Sequence, residues 1–158
     1  MQDIAGVRIV RRMHTADQDD LVKSIERLFP GSQVIDRRIR PSHGYRAVHI
    51  VPIVDDCPVE IQVRTALQDA WAQMLEKLGD SIGREIRYGE LSTEAIPGSS
   101  QDAIRTLVTQ LMEMSEEFSE TEELLARAAR AGVDTTSVNE AFDRLLDRMR
   151  SIVERFRK

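Results

Sequence analysis

The segment Pro58-Val59-Glu60-Ile61-Gln62-Val63-Arg64 alternates apolar and polar residues without a break. In a strand, successive side chains point to opposite faces. Val59, Ile61 and Val63 then belong to a core, and Glu60, Gln62 and Arg64 form a row of acid, amide and guanidinium. Parity over 45–54 puts Tyr45, Ala47 and His49 on one face and Arg46, Val48 and Ile50 on the other. If Tyr45 and His49 share the face of Glu60 and Gln62, the sheet presents an aromatic platform, an imidazole and a carboxylate together. Gly44 before Tyr45 lets a ligand approach the backbone closely, and an exposed tyrosine can stack a base. Asp3 lies at the mouth of a first strand. With Glu60 it could hold Mg²⁺, which needs only one or two carboxylates when nucleotide phosphates complete its shell. The same residues also fit an ordinary half-exposed strand, a packing tyrosine, a structural histidine and a solvated terminal aspartate.

Short strands and helices must position these groups. Strands are expected over 3–11, 33–40, 45–54 and 58–64 from their β-branched content and flanking turns. A helix over 16–29, capped by Thr15 or Asp17, carries Leu21, Ile25 and Leu28 at helical spacing and stops at Pro30-Gly31. A second, from about 66 to 79, has Leu67, Ala70, Trp71, Met74, Leu75 and Leu78 on one side. The fold class is therefore α+β, a mixed or antiparallel sheet with helices packed on it. Residues 81–99, with Gly83, Gly89, Pro97 and Gly98, read as a mobile loop. A long helix over 100–131 ends at Gly132, suited to a left-handed cap. A second begins with a capping box at Ser137 to Glu140 and keeps a coiled-coil period through Phe156. The two form an antiparallel hairpin over 100–158, attached to a core over 1–80.

Composition narrows the partners. The chain has 158 residues, 31% of them charged, and a net charge of −5. That balance argues against nucleic acid or an anionic membrane, both of which select a basic field. Yet Arg37, Arg38, Arg40 and Arg46 occupy 37–54 with no acid among them. Such a stretch suits a small anionic ligand, or else a solvated strand face. Cys57 is the single cysteine, which leaves no internal disulfide and no cysteine-rich zinc site. The opening residues lack the apolar run of a signal peptide and no segment reaches the length of a membrane span, so a reducing, cytoplasmic setting is expected.

Four blocks together resemble RelA/SpoT-type alarmone synthetases, especially the small single-domain ones: DIAGVRIV at 3–10, HGYRAVHI at 43–50, VEIQVRT at 59–65 and the following Trp71-Ala72. They stand in the family's order across roughly residues 3–78. The resemblance implies a nucleotidyltransferase-like core that transfers pyrophosphate from ATP to the 3′-hydroxyl of GTP or GDP with Mg²⁺. It assigns Asp3 to the metal and Arg8 to the adenine of ATP. Tyr45 would stack on the acceptor guanine, and Arg46 and His49 would contact phosphates. Glu60 would hold the metal or act as base, with Gln62 and Arg64 orienting nucleotide and site. Arg8 has opposite parity to Asp3 in a regular strand, which a bulge at Gly6 would reconcile.

The mechanism implied is positioning and charge neutralisation, without a covalent nucleophile. The resemblance also places a basic, ATP-gripping helix before the first strand, where this sequence has only Met1-Gln2, and a histidine after Trp71-Ala72, where it has Lys77. The ATP side is thus expected to be impaired. The alternative is an inactive, truncated homologue that binds guanine nucleotides, regulates or builds an oligomer. The family's His-Asp hydrolase motif is not found. The C-terminal helices are expected to build a homo-oligomer.

Overall fold

The computed structural model describes residues 5–88 and 101–136, together with 139–140, 142–144 and 146–147. β1 (Ala5–Arg11), α1 (Thr15–Leu28), β2 (Gln33–Asp36), β3 (Val48–Val51), β4 (Ile53–Val54), β5 (Cys57–Thr65) and α2 (Ala66–Ile82) follow in order. A 3₁₀ turn over Arg84–Tyr88 and the 30-residue α3 (Gln101–Arg130) come next. The mixed sheet has the order β1-β5-β3-β2, with β4 paired to β5 as a hairpin. β1 runs parallel to β5, while β3 runs antiparallel to both β5 and β2.

β5 is central because it is apolar on one face and polar on the other. Val63 and Ile61 join Val48, Ile50 and Ile9 against Val22, Ile25 and Leu21 of α1. His14, rather than Thr15 or Asp17, is the N-cap of α1, and the Asp17 carboxylate accepts its backbone N–H at 3.2 Å. Thr65 ends β5 and caps α2 in a reciprocal box with Gln68, at 3.2 Å in each direction. The apolar side of α2, with Leu67, Ala70, Trp71, Met74 and Leu75, is buried against α3 residues and against Leu146 and Phe142 from the helical residues beyond it.

Two strands are shorter than their composition suggests. β2 stops at Asp36, whose carboxylate takes the Arg38 backbone N–H at 2.8 Å and so turns the chain. Tyr45 and Arg46 lie before β3, and Tyr45 pairs only with Ser42 in an isolated bridge. Within the expected loop, 81–82 complete α2 and 84–88 form the 3₁₀ turn; residues 89–100 lie outside the described residues. Gly132 adopts φ 69° and Val133 donates back to the Ala128 carbonyl, the left-handed cap expected of it. Of the second hairpin helix, 139–140, 142–144 and 146–147 are helical and the remaining residues are not described. No described helix is long and apolar enough to cross a membrane.

Gly44 and Glu122 fix α3 to the core. Gly44 has φ +83°, and a Cβ there would stand 2.8 Å from the Trp71 ring and 3.1 Å from Ser115 Cβ. Its carbonyl accepts the Ser115 hydroxyl. Glu122 is buried at the meeting of β5, α2 and α3, accepting bonds from the Thr65 hydroxyl and the Gln68 amide. Gln18 of α1 extends this cluster, donating to the Val63 carbonyl and to Gln68. Burial pushes the Glu122 carboxyl up to about 7, although those hydrogen bonds and the charges of Arg38 and Arg46 oppose the rise.

Gly44→Ala should destabilise the fold by roughly 1–3 kcal/mol, from strain at positive φ plus the clash with Trp71. An unchanged urea midpoint would contradict this packing. For Glu122 the folded carboxyl holds a proton that the unfolded chain releases near the ordinary value of 4.5. Stability should therefore fall as pH rises from about 4.5 through 7. Glu122→Gln should flatten that window, adding up to about 3 kcal/mol at pH 8 and little below pH 4.5. Parallel wild-type and variant stability curves across pH would refute the assignment.

Candidate functional site

The polar face of the sheet brings together most of the side chains singled out by parity. Glu60, Gln62 and Arg64 project from it on β5, and His49 stands opposite Gln62 on β3. Gly6 and Arg8 of β1 lie beside Glu60 and Gln62 in a register unbroken from Ala5 to Arg11. Arg8 therefore belongs to this face without any bulge at Gly6. Gly6 also leaves Glu60 with no side chain beside it on β1. Asp3 lies outside the described residues.

A directed hydrogen-bond network joins these groups. Arg64 Nη2 donates to the Tyr45 hydroxyl at 2.8 Å and to Gln62 Oε1 at 3.0 Å. The Tyr45 hydroxyl lies 3.1 Å from His49 Nε2, and His49 Nδ1 lies 2.6 Å from Glu60 Oε1. Gln62 Nε2 donates to Glu60 Oε2 at 2.7 Å. One set of roles satisfies every link. Arg64 donates to Tyr45, Tyr45 donates to Nε2 of a neutral imidazole, and the Nδ1 proton goes to Glu60. The parallel branch through Gln62 also ends on Glu60, so both chains begin at a cation and converge on one carboxylate.

Partial burial works against a charge on Glu60. Hydrogen bonds from Gln62 and His49, with the charge of Arg64, outweigh it and hold the carboxyl below its ordinary value. An ionised carboxylate has about four lone-pair sites, so two remain open to a hard cation or a hydroxyl. No group of three or more His, Cys, Asp or Glu able to hold a metal occurs among the described residues. The donor set fits Mg²⁺ bound mainly through ligand phosphates, with Glu60 as a protein oxygen.

The cation end is anchored from α2. Arg64, with a side chain 3% exposed, donates through Nη1 to Asp69 Oδ1 at 3.0 Å. Asp69 also faces Arg8 at 3.7 Å and accepts from Gln73 at 2.6 Å. The Arg64 guanidinium carbon sits 4.9 Å from the centre of the Tyr45 ring, within cation–π range. Asp69 and Gln73 were not foreseen from sequence. Their signal is an acid and an amide at i, i+4 in the first turns of a helix that directly follows Arg64.

Arg46 is not part of this network. Its guanidinium pairs with Glu116, bonds the Arg38 carbonyl at 2.6 Å and reaches Ser115 at 3.3 Å. Arg38 pairs with Asp36 at 2.6 Å and Asp19 at 2.7 Å. The acid-free arginine stretch is thus partly neutralised by acids from α1, β2 and α3. Arg37 and Arg40 have no ion-pair partner among the described residues, and with His43 they line a groove of about 580 Å³ beside α3.

Residues 1–78 match the family model described as a region found in RelA/SpoT proteins. The chain carries a RelA/SpoT-type domain. The matched region ends inside α2, so it contains the whole sheet, α1 and every member of the polar network. Two curated relatives, uncharacterized proteins of Mycobacterium tuberculosis and Mycobacterium bovis, are each 40% identical over 110 residues. That stretch covers 66% of this chain and 40% of each relative. The RelA/SpoT domain here is thus a synthetase-family domain, and its relatives extend well beyond the shared stretch.

The network predicts a neutral His49 protonated at Nδ1, readable from long-range ¹⁵N–¹H couplings. Glu60→Gln should change that pattern, because the amide replaces one acceptor with a donor. A wild-type Nε2–H tautomer would contradict the directed chain. The folded Glu60 carboxyl lies below its ordinary value, so its contribution is complete above that value and is lost as pH falls through the folded pKa. The His49 signals should follow that acid transition.

Proposed function

We propose that this domain is an alarmone synthetase that transfers pyrophosphate from ATP to the 3′-hydroxyl of GTP or GDP. The observation that carries the reading is the convergence of His49 and Gln62 on ionised Glu60, with Tyr45 and Arg8 on either flank, inside a RelA/SpoT region. Tyr45 serves as the platform for the acceptor guanine, its hydroxyl fixed by Arg64 and His49. Arg8, 42% exposed, remains available to stack on the donor adenine. When bound, Mg²⁺ would neutralise the transferring phosphates.

Glu60 would hold that metal together with Asp3, whose assignment rests on the family resemblance. The lowered Glu60 pKa favours this role over strong basicity. His49, hydrogen-bonded to Glu60, faces the acceptor phosphates, while Gln62 and Arg64 hold the geometry. Arg46, expected at phosphates, is engaged by Glu116 and Ser115, so a phosphate contact requires Glu116 to release it. Arg37 and Arg40 offer cations without ion-pair partners among the described residues.

The proposed organisation keeps residues 1–80 as the synthetase core and 100–158 as a helical extension, with 81–99 joining them. A homo-oligomer through that extension and a cytoplasmic location belong to the same proposal.

A second reading is guanine-nucleotide binding without transfer. It is favoured by the uneven distribution of contacts: acceptor-side groups form a closed network, whereas Arg8 is the one donor-side cation assigned among the described residues.

Purified protein with Mg²⁺, ATP and GTP or GDP should yield pppGpp or ppGpp, resolved by anion-exchange chromatography. Folded protein that makes none at high concentration, yet binds GDP by calorimetry, would replace the first reading with the second. Tyr45→Ala should weaken GDP binding by about tenfold or more, the scale of one lost base stack. Unchanged affinity would remove Tyr45 from the site.

A further inference from the structure

We infer that Asp69 is a positioning residue that couples the two nucleotide subsites by holding Arg8 and Arg64 through one carboxylate. The inference rests on the proposed function and extends it to a residue outside the polar row.

The argument begins with charge. Arg64 is enclosed, and a guanidinium cannot shed its proton, so its position depends on a fixed anion. Asp69 supplies that anion at 3.0 Å from a side chain 11% exposed. The Arg64 Nε proton has no hydrogen-bond partner among the described residues. The orientation of the group is therefore set by its two Nη nitrogens, one on Asp69 and the other on Tyr45 and Gln62.

The same Asp69 oxygen that binds Arg64 faces Arg8 at 3.7 Å, looser and more exposed. Gln73 fixes the other oxygen at 2.6 Å. The carboxylate is thus pinned on one side and shared on the other. A donor base that draws Arg8 towards itself releases part of the Asp69 charge to Arg64. Arg64 then holds the Tyr45 hydroxyl and ring more firmly. Donor binding should tighten acceptor binding, and by reciprocity the acceptor should tighten the donor by the same factor.

The test compares wild type with Asp69→Asn, Gln73→Ala, Arg8→Ala and the double variant Asp69→Asn/Arg8→Ala. Gln73 is exposed, so its truncation spares the core if Asp69→Asn fails to fold. In ligand-free protein, Asp69→Asn should move both the Arg8 and Arg64 Nε–Hε signals and the His49 imidazole signals. Calorimetry with GDP should show affinity reduced about tenfold in Asp69→Asn and about twofold to fivefold in Gln73→Ala. A non-hydrolysable ATP analogue should tighten GDP binding in wild type and not in Asp69→Asn. For the analogue itself, the effects of Asp69→Asn and Arg8→Ala should be non-additive.

Folded Asp69→Asn with unmoved Arg64 and His49 signals would overturn the positioning role. Additive effects, or an analogue effect on GDP that survives in Asp69→Asn, would overturn the coupling. If Tyr45→Ala abolishes GDP binding while Asp69→Asn changes nothing, the proposed function stands and this inference falls. If wild type binds no guanine nucleotide, the proposed function falls and the coupling with it, while the guanidinium signals still decide whether Asp69 positions both arginines.

Discussion

The buried pair between Arg64 and Asp69 governs the geometry of the polar face. Near its end β5 delivers Arg64 into a site almost closed to solvent, and the acid that neutralises it, Asp69, follows five residues later in the first turn of α2. Only the capping box at Thr65 separates strand from helix, so the pair is held by a short, well-fixed junction. From Arg64 the hydrogen bonds run outward through Tyr45 and Gln62 to Glu60. Without the anion, a permanently charged guanidinium would stand uncompensated in a low-dielectric site, and the network would lose its origin.

The opposite face follows a different logic. There β5 and β3 meet α1 through aliphatic side chains, with few aromatics in the chain to add bulk. This rigid layer fixes the register of the central strands, because slipping by one residue would bury Glu60 and Gln62 and expose Ile61 and Val63. The apolar layer thus acts on the chemistry indirectly. It keeps acid, amide and guanidinium in one row at the spacing the network requires.

α3 contributes a third constraint. It packs beside Trp71, takes Arg46 through Glu116 and Ser115, and inserts Glu122 among Gln68 and Thr65. The loop that carries Tyr45 is consequently shaped by a helix outside the RelA/SpoT region. Gly44 permits that approach because it has no Cβ to meet the Trp71 ring. A carboxyl buried at this junction, its pKa raised to about 7, also makes the attachment of α3 sensitive to protonation near neutral pH.

The sequence by itself determined the faces of β5, the apolar side of α2, the long helix with its glycine cap and the family. Each is encoded locally, in a period of two, a period near 3.6 or a contiguous motif. It did not reveal that Tyr45 and Arg46 precede the strand, because β-propensity at 45–54 says nothing about where pairing begins. Nor did it reveal that Arg38 and Arg46 are neutralised, since their partners Asp19 and Glu116 come from distant helices. Arg8 shows the same division. Its residue type was legible, yet only the register with Gln62 placed it on the polar face, and only α2 supplied Asp69. Strand alternation is a property of consecutive residues, whereas charge compensation depends on which elements fold against one another, and the tertiary structure alone decides that.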